Sequence, residues 1–340
     1  MFLKKKNSRQ LSTLLLLFVC ILVLSACGTG GSQQAASSKP SVQPSASPTT
    51  ATPTPSTEPV KKTFTHALGK TEVPEKVERV VALTPHFADH LASLGIIPVG
   101  SVVREGGDFE PYIASLLKGT ESIGQSSAPN LEKVLQLKPQ LILGEEKSHS
   151  KPYEALSKIA PTLIYSEKDM EQDWAKIFLE VAAATGKEQL GKDKLKEFET
   201  KTKTLKEKLG AKLGEQTVVF FKVTDKDTRV LGRKSPLGKI AYDQLGLKYP
   251  AGLPDEEGEI KIAIEKLPEL NPDHIFLLDV NVPDYVNKMN ETMKTPLWTS
   301  LKAVQGGHVY MKPIRATKTG FGLVMHNLFV DEIKKELLDK

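Results

Sequence analysis

His86 and His90 stand four residues apart, a spacing that puts both imidazoles on one face of a helix. Two nitrogen ligands so placed could begin a zinc site. No glutamate sits between them as in H-E-x-x-H, and the seven histidines are scattered along the chain instead of converging in the group of about four ligands that a zinc or manganese ion takes. For His86, contact with a bound ligand and plain surface placement both stay open. Two carboxylates come next. Glu132 in PNLEK and Glu265 in IAIEK each fall near the start of a helix, where the helix dipole favours a negative charge by roughly 0.3–1 kcal/mol. That is reason enough for a glutamate there. The cations form a third set. Arg104 follows the apolar run 99–103, Lys147 and His149 follow 141–143, Lys222 closes 217–223, Arg233 follows Leu231-Gly232, and Arg315 follows 308–311. Positions just past strand ends are where open α/β sheets take their ligands, and guanidinium or ammonium groups there suit an anion. An exposed surface cation is the ordinary alternative for each. Nucleophilic chemistry has no support: there is no G-x-S-x-G elbow, and GRKSPLG (232–238) lacks the P-loop spacing.

These candidates need a scaffold, and the sequence supplies an alternating one. Residues 80–83 read as a strand, 87–94 as a helix closed by Gly95, and 96–100 as a second strand. A short helix at 112–117 and one at 131–137, capped by Asn130, precede a doubly buried strand at 141–143. A helix at 153–159 and a strand at 162–165 follow. Strand, helix, strand, helix implies a mainly parallel sheet covered by helices. After a helical stretch from Trp174, broken at Gly186 and continued as a long polar helix to Leu213, the alternation resumes. Strands are expected at 217–223, 228–231, 274–278 and 308–311, with helices at 237–245, 264–270 and 321–338. The fold class is therefore α/β: two Rossmann-like lobes joined by a single long helix, with the ligand cleft between them. The expected divisions are a first lobe at 63–168, a connecting helix at 169–190 and a second lobe at 191–340.

The N-terminal part is of another kind. Lys4, Lys5, Lys6 and Arg9 precede an apolar run from Leu14 to Leu24, shorter than the roughly 20 residues a spanning helix takes. It reads as a signal peptide, residues 1–26. Leu24-Ser25-Ala26-Cys27 resembles a lipobox, which makes Cys27 the lipidated first mature residue. The only other cysteine, Cys20, lies in the leader, so no disulfide or thiol chemistry is available to the mature body. From 27 to 62 the chain is Ser-, Pro- and Thr-rich and cannot bury enough apolar surface to order itself; it reads as a semi-extended tether. The formal charge of +5 includes the basic leader. Lysines between 187 and 212 alternate with glutamates and Asp193, a solvated helix face with no nucleic-acid character.

Six segments, in order, resemble one family. VPEKVERVVAL (73–83) with LASLGIIPVG (91–100), IGQSSAPNLEKVLQLKPQLILG (123–144), YEALSKIAPTLIY (153–165), SPLGKIAYDQLGLKYP (235–250), IAIEKLPELNPDHIFLL (262–278) and PLWTSLKAVQGGHVY (296–310) are similar to the class III, helical-backbone substrate-binding proteins of iron-siderophore and cobalamin ABC importers. The resemblance runs from about residue 64 to the end. It implies a monomeric, extracytoplasmic lipoprotein on the cell membrane, of Gram-positive type, that is no enzyme. Such a protein carries no resident cofactor. It binds a ferric siderophore between its lobes and delivers it to an ABC permease driven by cytoplasmic ATPases. It assigns Glu132 and Glu265 to docking on permease arginines and favours Arg104, Lys222 and Arg315 as ligand contacts, with His86, Arg233 and Lys147 behind them. It gives Trp298, His308 and Tyr310 to packing. A hexadentate siderophore already saturates its iron, so no protein metal ligand is needed. The cations lean towards a carboxylate or catecholate chelate over a neutral hydroxamate. Haem would call for an axial Met or His that GQSSAPN lacks, and cobalamin for more aromatic wall than two tryptophans provide. A secreted metal-dependent hydrolase remains the reading from another class.

Overall fold

A computed structural model describes residues 60–224, 226–255, 258–279, 283–314 and 322–340. The first lobe opens with a hairpin, β1 (Lys61–His66) and β2 (Gly69–Pro74). No expected element covers it, because its alternating charged and polar residues bury only one narrow face. It is held to the lobe by Ala67 N–H on the Ile164 carbonyl at 2.8 Å and the Thr71 hydroxyl on the Thr162 carbonyl at 3.2 Å. Then come β3 (Val80–Ala82), α1 (Pro85–Ser93), β4 (Gly100–Ser101), β5 (Glu121–Ser122), a small ribbon of β6 (Gly124–Gln125) and β7 (Ala128–Pro129), α2 (Leu131–Gln136), β8 (Leu141–Glu145), α3 (Glu146–His149), α4 (Tyr153–Ile159) and β9 (Thr162–Tyr165). The parallel sheet has the order β5-β4-β3-β8-β9. Thr84 caps α1, with Pro85 in its first turn. The strand expected at 96–100 shrinks to Gly100–Ser101: Pro98 has no N–H for a ladder, and Ile96 bonds back to the Leu91 carbonyl.

The crossing to the second lobe takes α5 (Glu167–Gln172), α6 (Trp174–Ala184) and α7 (Glu188–Leu213). One helix over 169–190 was expected. Asp173 divides the stretch, ending α5 and capping α6 by accepting from the Lys176 N–H at 2.9 Å. Gly186, at φ 67°, divides it again, at the break expected there. The joint between α6 and α7 is tight at Gly191, where a Cβ would stand 2.5 Å from that of Ala182.

The second lobe comprises β10 (Val218–Val223), β11 (Thr228–Leu231), α8 (Pro236–Gly238) continued by a π-helical turn to Gln244, β12 (Glu259–Ile262), α9 (Leu267–Leu270), β13 (His274–Leu278), α10 (Pro283–Met293), α11 (Pro296–Thr299), α12 (Lys302–Gln305), β14 (Val309–Met311) and α13 (Leu323–Leu337). Its sheet order is β12-β11-β10-β13-β14. Strands β10, β13 and β14 are parallel, while β11 and β12 add an antiparallel edge.

Alternation along the strands divides the interior. One continuous core crosses both lobes and includes Phe87 and Leu91 of α1, Phe178 of α6, Phe198 of α7, Phe220 of β10 and Phe329 of α13. The opposite faces of the sheets close separate cores, around Val81 and Ile142 in the first lobe and around Phe221 and Trp298 in the second. His274 stacks on His308, with ring centroids 4.6 Å apart, and bonds the Tyr310 hydroxyl at 3.1 Å.

Candidate functional site

Antiparallel pairing sets Lys222 of β10 opposite Arg229 of β11. Two cations facing each other across a ladder repel unless carboxylates separate them, and here they do. The Lys222 ammonium lies 3.0 Å from Glu259 and 3.6 Å from Asp279. Arg229 reaches the other Glu259 oxygen at 3.0 Å and holds Asp227 through two bonds, at 2.8 and 3.2 Å. Lys261, beside Arg229 on β12, closes the series on Asp227 at 3.3 Å. The result is a chain of alternating charge, Asp279–Lys222–Glu259–Arg229–Asp227–Lys261. The Arg229 guanidinium, through its hydrogen bonds, holds Asp227 well below the usual carboxylate range. Asp227 and Glu259 in turn keep that guanidinium protonated.

A cavity of about 420 Å³ opens against this chain, lined by Glu171 of α5 and by Arg229, Lys234, Ser235, Pro236, Gly258 and Glu259 of the second lobe. Its rim is stiff. The Ser235 hydroxyl accepts from the Gly238 N–H at 3.0 Å and donates to the Gly232 carbonyl at 2.8 Å. At Gly238 a Cβ would come 2.0 Å from the Gly232 oxygen, so only glycine fits. Lys239 ties the same turn to α5, donating to the carbonyls of Glu171 and Gln172 at 3.1 Å each. Such a site can offer a fixed, partly exposed guanidinium and hydroxyl and ammonium donors to an oxygen-rich ligand.

Residues 106–315 match the model of a family described as "Periplasmic binding protein". A putative ABC transporter substrate-binding lipoprotein of Bacillus subtilis, YhfQ, is 33% identical over 82% of this chain and 88% of its own length. The chain belongs to the periplasmic binding protein family. A second relative from Bacillus subtilis, named as the probable siderophore-binding lipoprotein YfiY, is 28% identical over 97% of this chain and 98% of its own. The crystal structure of Staphylococcus aureus SirA complexed with staphyloferrin B superposes with a TM-score of 0.67 at 29% identity, covering 81% of this chain and 98% of that one.

The periplasmic binding protein fold distributes the sequence candidates unevenly. Lys222 is buried, and its ammonium is taken up by two carboxylates, a duty the sequence did not announce. Arg233 is exposed on the loop after β11, paired with Asp243 at 3.1 Å and Asp255 at 3.7 Å. Lys147, on α3, lies 3.7 Å from Glu167 with most of its side chain in solvent. Arg104 follows β4, where its backbone closes a tight loop with Gly107 and Asp108; among the described residues no carboxylate pairs with its guanidinium. His149 is buried: Nε2 donates to the Ser126 carbonyl at 3.0 Å while Nδ1 lies 3.0 Å from the Glu145 N–H and C=O. Burial lowers its pKa, and it works as a loop staple. His86 is half-buried in the first turn of α1, while His90 is buried against Phe87 and Phe178. Glu132 and Glu265 are exposed, in the first turn of α2 and in the 3-10 turn before α9. Arg315 and Cys27 lie outside the described residues. Sequence reasoning missed Arg229, Glu259 and Asp227. The signal was the hairpin register, which makes two cations cross-strand neighbours and so requires acids nearby. Among the described residues no helix is long and apolar enough to cross a membrane.

Proposed function

We propose that this protein is the extracytoplasmic capture subunit of an iron importer: it binds a ferric siderophore between its lobes and hands it to an ABC permease. It acts by binding, not by catalysis. Lipid on Cys27 and the tether 27–62 hold it to the membrane, and it works as a monomer. The observation that carries the reading is the fixed guanidinium in the wall of this cavity. Arg229 is immobilised by Asp227 and Glu259 yet remains partly open towards the cavity beside Lys234 and Ser235. A preformed chelate wears its oxygen donors outward, so it needs oriented N–H and O–H donors more than it needs metal ligands. Arg104, Arg315 and His86 complete the contacts in this reading. Lys222 supports from behind, and Lys147 and Arg233 stand further out. The relatives point the same way, since one is named for siderophore binding and another was crystallised with staphyloferrin B.

Glu132 and Glu265, one exposed on each lobe, are the docking pair. Charges so placed set orientation and association rate. One experiment tests the whole reading. Intrinsic fluorescence of Trp174 and Trp298 is titrated with a panel of ferric siderophores, haem and cobalamin, and iron uptake is measured in cells. Submicromolar quenching by a ferric siderophore is the expected outcome, and Glu132→Lys with Glu265→Lys should leave it unchanged while stopping uptake. Quenching by haem or cobalamin alone would overturn the siderophore assignment; normal uptake by the double variant would overturn the docking assignment.

A further inference from the structure

The last helix of the second lobe is capped from the first. Helix α13 begins at Leu323, and Gly322 at its N-cap position brings no side-chain cap. Its first free N–H groups, on Val324 and Met325, donate to the two carboxylate oxygens of Asp89 at 2.8 and 3.0 Å. Asp89 sits on α1, far away in sequence, and has no exposed surface. Among the described residues no cation pairs with it. A buried carboxylate without a counterion is costly, and a helix N-terminus is one of the few groups that offset that cost. The fit is close as well: a Cβ on Gly322 would stand 2.4 Å from an Asp89 oxygen and 2.8 Å from His90 Nδ1. Burial pushes the Asp89 carboxyl up to about 6 even though the two amides pull it down.

We propose that Asp89 is a positioning residue for ligand binding: by capping α13 across the lobe boundary it fixes the angle between the lobes, and with it the width of the cleft. Around it α1 packs on both α6 and α13, and Asp89 supplies two directional hydrogen bonds across that contact. Apolar surfaces slide at small cost; two charge-assisted bonds to adjacent amides do not. The inference takes the cleft as the ligand site, as proposed above.

The test compares the full chain with Asp89→Ala, Asp89→Asn and Gly322→Ala. In a background with Cys20 and Cys27 replaced by serine, spin labels at Ser157→Cys on α4 and Asn290→Cys on α10 report the distance between lobes, and the ferric siderophore panel reports affinity. Asp89→Ala and Gly322→Ala should broaden the distance distribution and weaken binding about tenfold, with far-ultraviolet circular dichroism unchanged at 25 °C. Asp89→Asn, which keeps one acceptor oxygen, should recover part of both. Should Asp89→Ala fail to fold, Gly322→Ala, which keeps the carboxylate but shifts it off the amides, carries the comparison. Parental distances and affinity in all three variants would overturn the clamp. If the parent binds none of the panel, the proposed function fails, and the distance measurement alone decides the clamp.

Discussion

Lys222 shows how a single residue can be read correctly as a cation and incorrectly as a free one. Its position near the end of β10 is plain in the sequence; its partners are not, because Glu259 opens β12, two strands over in the sheet, and Asp279 follows the neighbouring β13. The three side chains are nearly excluded from solvent. Removing one member of a buried set leaves the others uncompensated, which costs far more than the pair itself contributes. Lys222→Met is therefore expected to lower the unfolding free energy by about 3 kcal/mol, measured by urea denaturation. Lys147→Ala, which loses a long and solvated contact to Glu167, should change it by less than about 0.5 kcal/mol. Equal effects from the two would contradict the ion-pair chain described for the cleft. The same limit on legibility applies to His149, whose place after a strand suggested a ligand contact but whose ring nitrogens are consumed by Ser126 and Glu145.

Elements were more legible than sites. Helix α6 and strands β9, β11 and β13 fall where periodicity and apolar runs put them, because a long amphipathic or fully buried segment has few alternatives. The hairpin β1–β2 and the edge strand β12 were invisible, since each buries one thin face and alternates weakly. The joint between α6 and α7 belongs to this scale too. Gly191 looked like any glycine in a polar helix, yet it is the point where α7 presses on Ala182. Gly210, further along the same helix, has nothing near it. Gly191→Val should destabilise by about 2 kcal/mol through overpacking. Gly210→Ala should stabilise by up to about 1 kcal/mol, since alanine loses less backbone entropy in a helix. Thermal unfolding of the two single variants checks both signs. A neutral Gly191→Val would mean that α6 and α7 can separate without cost.

For the whole molecule, the contact between the lobes is also a centre of acid sensitivity. His90 of α1 and His326 of α13 are both buried there, and His326 packs edge-on against Trp174, with ring centroids 4.4 Å apart. Burial, with neighbouring histidines adding to it, pulls each down to about 3. The unfolded chain takes up these protons as pH falls through about 6.5, while the folded chain does not. The stability they contribute is therefore present above pH 6.5 and lost as pH falls towards 3. Asp89 works in the other direction: raised to about 6, it burdens the fold above that pH and is relieved on protonation between about 6 and 4. At this contact two protons against one leave a net loss near pH 5 of about 1.4 kcal/mol for each pH unit of acidification, and His274 in the second lobe, pulled down to about 4 by burial, adds a loss of similar size. His326→Leu removes one of the two histidines without emptying the space beside Trp174. It should lower the measured slope by about 1.4 kcal/mol per pH unit while leaving stability at pH 8 within about 1.5 kcal/mol of the parent. Urea unfolding at pH 8, 6 and 5 measures both quantities. An undiminished slope in His326→Leu would show that the protons are taken up elsewhere, and that the boundary between the lobes is not where acid acts.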